Sequence, residues 1–326
     1  MKKSDVVKEI LAGRRGSANP VGQAEAPANI ALCKYWGKRN EELNLPITSS
    51  LSLTLDHVGA RTEISQCSSG DQIFLSGERL DSDHPFANRL SRYLDLFRQG
   101  DEGYCVKTES SVPVAAGLAS SASGFAATVK ALDALYGWKL GSRELSILAR
   151  LGSGSACRSL YSGFVEWHVG EREDGMDSYA EPLELQWPEI RLGWILVSTA
   201  HKPVGSREAM RRTRESSPLY QSWPAQVARD LAEIKAALSL RDFTRLGETV
   251  EANALAMHAT MMAAQPAILY WLPDTVAVLH QVADARRQGV SVYATMDAGP
   301  NVKILYQARD QDRVVERFPQ ISFLCG

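Results

Sequence analysis

The chain has 326 residues, of which 44% are hydrophobic and 23% charged, so it is expected to form a globular protein of two domains or two closely packed lobes. A formal net charge of −2 argues against a general affinity for nucleic acid or membranes, although a small acidic metabolite needs only a local cluster of cations. The five cysteines form no CxxC pair and the six histidines have no zinc-ligand spacing, which predicts free thiols and argues against a structural zinc.

The N-terminal segment predicts a short amphipathic helix whose apolar side is formed by Val6, Val7, Ile10 and Leu11. Charged residues interrupt its apolar run, which argues against a signal peptide, and no run in the chain reaches the roughly 18 apolar residues of a membrane span. A cytoplasmic protein is therefore expected. Residues 12–24 are rich in Gly, Pro and small side chains and predict a linker, so the folded body is expected to begin near Ala24.

The next part of the chain predicts strands followed by helices. Residues 50–58 alternate leucine with polar residues and predict a strand, and the run after Gly59 predicts that the chain turns back as a hairpin. Farther on, apolar residues at helical spacing predict a helix that ends at Gly137 and a second helix over residues 142–151.

The second half predicts a buried strand over residues 191–198 and two long helical patterns over residues 205–240 and 242–262. A strand–turn–strand unit over residues 290–307 and a short helix over residues 308–317 are predicted to follow. Strands and helices mix without regular βαβ alternation, which predicts an α+β fold. The lobe boundary is expected near residue 195. The predicted division is an N-terminal extension over residues 1–22, a first domain over residues 23–195 and a second domain over residues 196–326.

The segment from Ser111 to Phe125 combines the end of a predicted strand, a loop of Gly and Ala, and two serines in the first turn of a helix. Exposed backbone N–H groups and the helix dipole at such a point favour a phosphate, and the hydroxyls of Ser120 and Ser121 can add donors or a magnesium ligand. The P-loop pattern GxxxxGK[ST] is absent. The alternative is a helix end that packs closely against a sheet through its alanines.

Two further segments carry charge. Residues 28–50 hold Lys34, Lys38 and Arg39 around two aromatic residues, which suits a polyanionic substrate, although a solvated basic turn has the same composition. Asp297 follows an apolar strand and precedes the turn Ala-Gly-Pro-Asn, so that it either stands in a cleft or caps its own turn.

The stretch RLGSGSACRS, residues 150–159, has three possible interpretations. A nucleophilic Cys157 needs a base that the sequence does not indicate, so a small buried thiol is favoured. Ser153, Ser155 and Arg158 together offer two hydroxyls and a bidentate fork, which suit a carboxylate or phosphate. Elsewhere, His258 is expected to pack or cap within its helix.

An arginine cluster is expected to form a solvated helical face rather than a site; its members are Arg207, Arg211, Arg212 and Arg214.

Four motifs in order resemble the mevalonate diphosphate decarboxylase family of the GHMP kinase superfamily, from about Ala26 to Leu305. They are APANIALCKYWGKRNEELNLPITSSLSLTL, PVAAGLASSASGFAA, RLGSGSACRSLYSGFVEW and DAGPN. The resemblance implies an N-terminal lobe like ribosomal protein S5 domain 2 and a ferredoxin-like C-terminal lobe, with the site in the cleft between them. It also implies the reaction: ATP phosphorylates the 3-hydroxyl of mevalonate 5-diphosphate, and phosphate and CO2 then leave to give isopentenyl diphosphate.

The resemblance assigns roles to individual residues. Asp297 deprotonates or orients the 3-hydroxyl, Arg158 holds the substrate carboxylate, and Lys34 supports the site. Substrate contacts are implied for Asn29, Tyr35, Trp36, Lys38, Ser153, Ser155, Arg158 and Ser206. Contacts to the ATP phosphates are implied for Pro113, Ala116, Gly117, Leu118, Ala119, Ser120 and Ser121. Mg²⁺ is the implied metal, with Ser121 nearest to it, and a homodimer is the implied assembly.

The sequence also allows other activities. The nearest is a sister activity on mevalonate or its 5-phosphate, either a phosphomevalonate decarboxylase or a mevalonate 3-kinase. The cations near Lys38 favour a multiply charged substrate without distinguishing one phosphate from two. A catalytically silent relative that binds nucleotide or a partner is the alternative from another class. The presence of Asp297, Arg158 and Lys38 together with the serine loop argues against it, as the acidic composition argues against nucleic acid.

Overall fold

The computed structural model describes residues 1–14, 19–111 and 120–325, which form two large β-sheets and a small two-stranded sheet, with helices packed against them. The elements of the first part, in chain order, are α1 (Lys3–Leu11), β1 (Gly22–Cys33), β2 (Lys38–Asn40), β3 (Leu45–Pro46), β4 (Ser50–Cys67), β5 (Gln72–Leu75), β6 (Glu78–Arg79), α2 (Pro85–Leu94), β7 (Gly103–Ser110), α3 (Ser120–Tyr136), α4 (Ser142–Gly152), β8 (Phe164–Trp167) and β9 (Ala180–Pro182).

The elements of the second part are β10 (Ile190–Ile195), α5 (Ser206–Ser216), α6 (Trp223–Leu240), α7 (Phe243–Met262), α8 (Pro273–Arg287), β11 (Val292–Met296), β12 (Val302–Gln307), α9 (Gln311–Arg317) and β13 (Ser322–Cys325). Short 3-10 turns cover Gly154–Arg158, Pro218–Ser222 and Ala308–Asp310. None of the helices in the described ranges is long and apolar enough to cross a membrane.

The first sheet has seven strands. Six of them follow the order β6-β5-β7-β4-β8-β9, and the seventh, β1, pairs with the edge of β4 that faces away from β7 and β8. The hairpin predicted after Gly59 is wrong, because β4 is one strand of 18 residues that pairs with β8 through its first part and with β7 through its second. Gly59 lies opposite Pro27 of β1, and a Cβ atom there would come within 2.3 Å of the Ala26 carbonyl oxygen. The glycine therefore permits close strand approach rather than a turn.

Helix α1 belongs to the folded body, so the expectation that this body begins near Ala24 is wrong. Val6, Val7 and Ile10 are 0%, 3% and 6% exposed and join the apolar core beneath the first sheet. Arg14, just after the helix, donates to the Trp138 carbonyl oxygen and forms an ion pair with a glutamate at the start of α4. The amphipathic pattern is thus a packing face.

Shortening one side chain of α1 tests this assignment. The variant Val6→Ala is expected to lower the free energy of unfolding by about 2 kcal/mol, because it removes two buried methyl groups and leaves a cavity. Lys8→Ala, at an exposed position of the same helix, is the matched control and should change stability little. Urea unfolding of both variants measures the difference. Equal stabilities would show that α1 does not contribute to the core.

The second sheet has four strands in the order β11-β12-β10-β13, all antiparallel. It confirms the predicted strand–turn–strand unit and the buried strand before it. The single helical pattern over 205–240 is divided, because Ser217 is extended before Pro218 and the chain restarts as α6. The chain enters this sheet at Ile190, while the lobe boundary near residue 195 stays a prediction. The mixture of elements confirms an α+β architecture.

Candidate active site

A cavity of about 550 Å³ brings together most of the residues that the sequence predicts for the site. Those that line it are Asn29, Lys34, Tyr35, Trp36, Lys38, Ser121, Ser153, Ser155, Arg158, Ser206 and Asp297. Predicted phosphate-loop residues that lie outside the described residues are Pro113, Ala116, Gly117, Leu118 and Ala119. Ser120 begins α3.

Asp297 and Lys34 line the cavity, and Lys303 contacts Asp297 without lining it. Asp297 follows β11; its Oδ1 accepts from Lys34 Nζ and its Oδ2 from Lys303 Nζ, both at 3.0 Å. The lysine side chains are 2% and 3% exposed, whereas that of Asp297 is 30% exposed. The sequence analysis does not predict Lys303 for the site, although a lysine inside the apolar strand VKILY is unusual and indicates a buried partner.

The two lysines determine the charge of this group. Burial by itself raises the pKa of the Asp297 carboxyl, but the Lys303 and Lys34 ammonium groups outweigh burial and hold the pKa well below its usual range. Burial lowers the pKa of Lys34, and the attraction of Asp297 opposes that effect. Asp297 is therefore ionised at neutral pH and is a weak proton acceptor, well suited to orient a hydroxyl group.

Helix α7 supports this group from behind. His258 Nε2 lies 3.0 Å from the backbone carbonyl oxygen of Asp297, and because a carbonyl only accepts, Nε2 carries the hydrogen. Asn253 Oδ1 accepts from the backbone N–H of Lys34 at 2.8 Å. His258 is buried, which confirms that it packs, but its hydrogen bond goes to Asp297 and not to a group of its own helix. The contact joins residues 39 apart in sequence, which no local pattern reveals.

The buried histidine makes stability depend on pH. Burial lowers the pKa of His258 to about 3, against an unfolded value of about 6.5, so the unfolded state binds the proton more tightly. The stability contributed by the neutral ring is complete above pH 6.5 and is lost as the pH falls below it. We expect the unfolding free energy to fall more steeply in the wild type than in His258→Gln, by up to roughly 1.4 kcal/mol per pH unit between pH 6 and 4.

Denaturant unfolding at a series of pH values measures both slopes. Parallel slopes for the two proteins would contradict this assignment.

Arg158 also lines the cavity and is held by neutral groups. Its Nε donates to Ser52 Oγ at 3.1 Å, its Nη1 to Ser50 Oγ at 2.7 Å and its Nη2 to Asn29 Oδ1 at 3.3 Å. The residue is 2% exposed. These partners fix the guanidinium without compensating its charge, which leaves it available to an anion in the cavity. Burial raises the pKa of the neighbouring Cys157 thiol to about 12, which favours the buried, unreactive thiol.

One end of the cavity is rich in cations. Lys38 is joined there by Arg89 of α2 and Arg207 of α5, neither of which the sequence predicts for the site. Burial, and then repulsion by Arg207, lower the pKa of Lys38 to about 8 and that of Arg89 to about 10. Such crowding of positive charge favours a multiply charged anion. Lys202 lines the cavity as well and donates to the Ala298 carbonyl oxygen at 2.9 Å.

The expectation of a solvated face holds only for part of the arginine cluster. Arg211 and Arg212 form ion pairs with Glu208 on their own helix, whereas Arg207 lines the cavity. Arg214 donates to the backbone carbonyl oxygen of Lys38. The helical pattern alone does not distinguish these positions.

One backbone feature and one side-chain contact position the remaining groups. Gly37 has φ +114°, and a Cβ atom there would come within 1.8 Å of Tyr220 Oη, so only glycine allows the turn that directs Lys38 into the cavity. Ser121 Oγ and Ser153 Oγ are 3.5 Å apart, which brings the start of α3 to the end of α4. A second cavity of about 530 Å³ adjoins the end of β7 and includes Ser111.

Comparison with known proteins agrees with this geometry. Residues 26–180 match the diphosphomevalonate decarboxylase-like N-terminal domain, and residues 194–323 match the mevalonate 5-diphosphate decarboxylase C-terminal domain. A diphosphomevalonate decarboxylase of Gibberella zeae is 39% identical, over 90% of this chain and 83% of the relative. The diphosphomevalonate decarboxylase of Danio rerio is 40% identical, over 87% of this chain and 75% of the relative.

Solved structures give the same result. Mevalonate diphosphate decarboxylase from Staphylococcus aureus superposes with a TM-score of 0.88 at 37% identity, covering 94% of this chain and 96% of the other. A structure described as MDDEF in complex with MVAPP, AMPPCP and magnesium has a TM-score of 0.88 at 40% identity, covering 93% and 95%. These likenesses confirm the predicted GHMP kinase fold. The chain belongs to the diphosphomevalonate decarboxylase family.

Proposed function

We propose that the protein catalyses the ATP-dependent decarboxylation of mevalonate 5-diphosphate to isopentenyl diphosphate, ADP, phosphate and CO2. The observation that carries this proposal is one cavity with an ionised carboxylate, a buried arginine held by neutral partners, and a cationic end. Family membership supports the same activity. Each of the three features matches one part of this substrate: the 3-hydroxyl, the carboxylate and the diphosphate.

The cationic end would bind the substrate diphosphate. Lys38, Arg89 and Arg207 supply positive charge there, and the hydroxyls of Ser153 and Ser155 add neutral donors. Charge-assisted hydrogen bonds to phosphate oxygens are stronger than neutral ones. Binding energy from this non-reacting end would hold the substrate in register with Asp297 and Arg158, and such positioning is a main part of catalysis in phosphoryl transfer.

Asp297 would accept the hydrogen bond of the 3-hydroxyl and direct its oxygen toward the γ-phosphate of ATP. Because its pKa is held well below the usual range, orientation and electrostatic stabilisation are favoured over early removal of the proton. In a loose phosphoryl transfer the hydroxyl proton becomes acidic only as the new O–P bond forms, so a weak base is sufficient at that stage.

Arg158 would hold the substrate carboxylate. Phosphorylation converts a tertiary hydroxyl into a good leaving group, and the C3–O bond then breaks with departure of phosphate. The electrons of the C1–C2 bond form the new C2–C3 double bond as CO2 leaves. A guanidinium fixed by three neutral partners keeps the carboxylate oriented for this elimination and needs no movement of its own.

ATP and Mg²⁺ fit the residues at the start of α3. This helix of 17 residues directs its N-terminal turn at the cavity, where Ser121 is a lining residue. The described residues contain no group of three His, Cys, Asp or Glu that could hold a metal, so Ser121 Oγ and phosphate oxygens would be the ligands, as magnesium allows. When bound, Mg²⁺ neutralises phosphate charge. The similar structure described with MVAPP, AMPPCP and magnesium supports the binding of a nucleotide and magnesium.

A coupled assay of ADP release with trapping of CO2 tests the proposed function. Purified protein receives ATP, magnesium and, in parallel, mevalonate 5-diphosphate, the 5-phosphate or free mevalonate. Equal amounts of ADP and CO2 from the diphosphate alone are expected. The same products from the monophosphate would reassign the protein as a phosphomevalonate decarboxylase, and ADP without CO2 would reassign it as a 3-kinase. No turnover with any of them would overturn the substrate class.

Three other inferences from the sequence stay predictions. They are the homodimer, the cytoplasmic location and the division of the chain at residues 22 and 195. Size-exclusion chromatography with light scattering tests the first of them.

A further inference from the structure

Asn44 links two parts of the cavity, although it belongs to no predicted site. It lies between β2 and β3, is 1% exposed and lines the cavity. Its Oδ1 accepts from Lys38 Nζ at 2.7 Å, and its Nδ2 donates to the carbonyl oxygens of Arg150 and Leu151 at 2.8 and 3.0 Å. One side-chain amide therefore holds Lys38 on one side and the last turn of α4 on the other.

The Asn44 amide binds carbonyl oxygens at the end of a helix and restrains a flexible side chain. Carbonyl oxygens in the last turn of a helix have no partner within the helix, and α4 ends at Gly152, immediately before Ser153 and Ser155. Lys38 has a flexible four-carbon stem that loses rotamer freedom when it is held. Asn44 therefore sets the distance between the ammonium group and the serine hydroxyls across the cationic end of the cavity.

The turn itself does not need the Asn44 side chain. Leu43 and Leu45, on either side, are 0% exposed and pack into the core. Asn40 Oδ1 accepts from the backbone N–H of Leu43 at 2.9 Å and closes the turn. Asn44 has φ +52°, a left-handed conformation that asparagine and glycine adopt readily. The Asn44 amide therefore contacts Lys38 and the end of α4, and it is not needed to close the turn.

We propose that Asn44 is a positioning residue that holds Lys38 at a fixed distance from Ser153 and Ser155 and thereby sets the affinity for the phosphorylated end of the substrate. The identity of the substrate rests on the proposed function. The anionic class of the ligand rests on the charge of Lys38, Arg89 and Arg207.

The variant Asn44→Gly tests the proposal, because glycine keeps the left-handed backbone without strain and removes only the amide. Its KM for mevalonate 5-diphosphate is expected to rise about tenfold, the effect of one lost charge-assisted contact, with kcat within about twofold. Asn40→Gly is the matched control: it loses a hydrogen bond of the same turn but leaves Lys38 held. An unchanged KM in folded Asn44→Gly would overturn the proposal.

A pH profile separates positioning from a structural role. The charged groups that face Lys38 are Arg207, Glu41, Lys3 and Arg89. Burial, the largest cause, and the three cations lower the pKa of Lys38 to about 8, while Glu41 opposes them. Lys38 therefore loses its charge, and anion binding weakens, as the pH rises through about 8. Asn44→Asp places a carboxylate against the ammonium group and should move the alkaline limb of kcat/KM upward by about one pH unit. An unmoved limb would overturn the proposal.

Calorimetry with inorganic pyrophosphate keeps this test independent of the reaction. If the wild type fails to turn over mevalonate 5-diphosphate, the proposed function is lost, but the pyrophosphate affinities of wild type and Asn44→Gly still decide the role of Asn44. Weaker binding by the variant supports it, and equal affinity, including no binding by either protein, overturns it. If Asn44→Gly does not fold, the isosteric Asn44→Asp and its pH profile decide in its place.

Discussion

Replacing Asp297 by asparagine is expected to lower kcat roughly 10²- to 10⁴-fold, the usual contribution of a positioned acid–base group. Asparagine keeps the shape of the side chain but loses the negative charge that orients the 3-hydroxyl. Its amide nitrogen would also face Lys34 or Lys303, each of which donates to the carboxylate at 3.0 Å in the native protein. The KM for the substrate should change much less than kcat, because the phosphate end of the cavity is untouched. Single-turnover measurement of phosphoryl transfer reads the affected step directly.

Stability must be measured beside the rate, because this substitution leaves two buried ammonium groups without their counter-ion. Removing one partner of a buried ion pair costs about 3–5 kcal/mol unless the remaining group loses its charge. Asp310→Asn is a useful control, since it removes a buried, ion-paired carboxylate that does not line the cavity. A loss of kcat in both variants, or a folded Asp297→Asn with kcat within about threefold of wild type, would contradict the role of Asp297.

The residues that the sequence predicts for the site are those that lie in short motifs. Lys38 and Arg158 each stand among neighbours that favour anion binding, and Asp297 ends an apolar strand before a sharp turn. Lys303 and Arg89 are missed for a different reason. The lysine in its apolar strand is unusual, but the sequence does not show that its partner is Asp297, and only tertiary packing brings the arginine of α2 to the cavity.

The errors in the predicted fold have the same origin. Gly59 resembles a turn residue because a glycine after a strand usually is one, whereas here it admits the backbone of β1. The apolar side of α1 is visible in the sequence, but the core that buries it comes from distant elements such as α3 and β7. Local pattern thus predicts which elements form and which side is apolar. It does not predict what each element packs against.

Substituting Arg158 by lysine is expected to lower kcat/KM about 10²-fold, because the charge remains while the geometry is lost. The guanidinium donates from three nitrogens to Ser52, Ser50 and Asn29, and a lysine ammonium cannot keep this planar arrangement. The rate of decarboxylation should fall more than the rate of phosphoryl transfer, since Arg158 is proposed to hold the departing carboxylate. The ratio of CO2 to ADP is therefore expected to fall below one.

Arg150→Lys is the matched control for this substitution. Arg150 is also a fully buried arginine, held by the carbonyl oxygens of Gly175 and Ser178, and it does not line the cavity. Both variants should lose stability, because each leaves buried acceptors without a donor. Only Arg158→Lys should lose kcat/KM and release ADP without equal CO2. If both variants lose activity in proportion to stability, with the CO2 to ADP ratio still at one, Arg158 supports the fold and another group must hold the carboxylate.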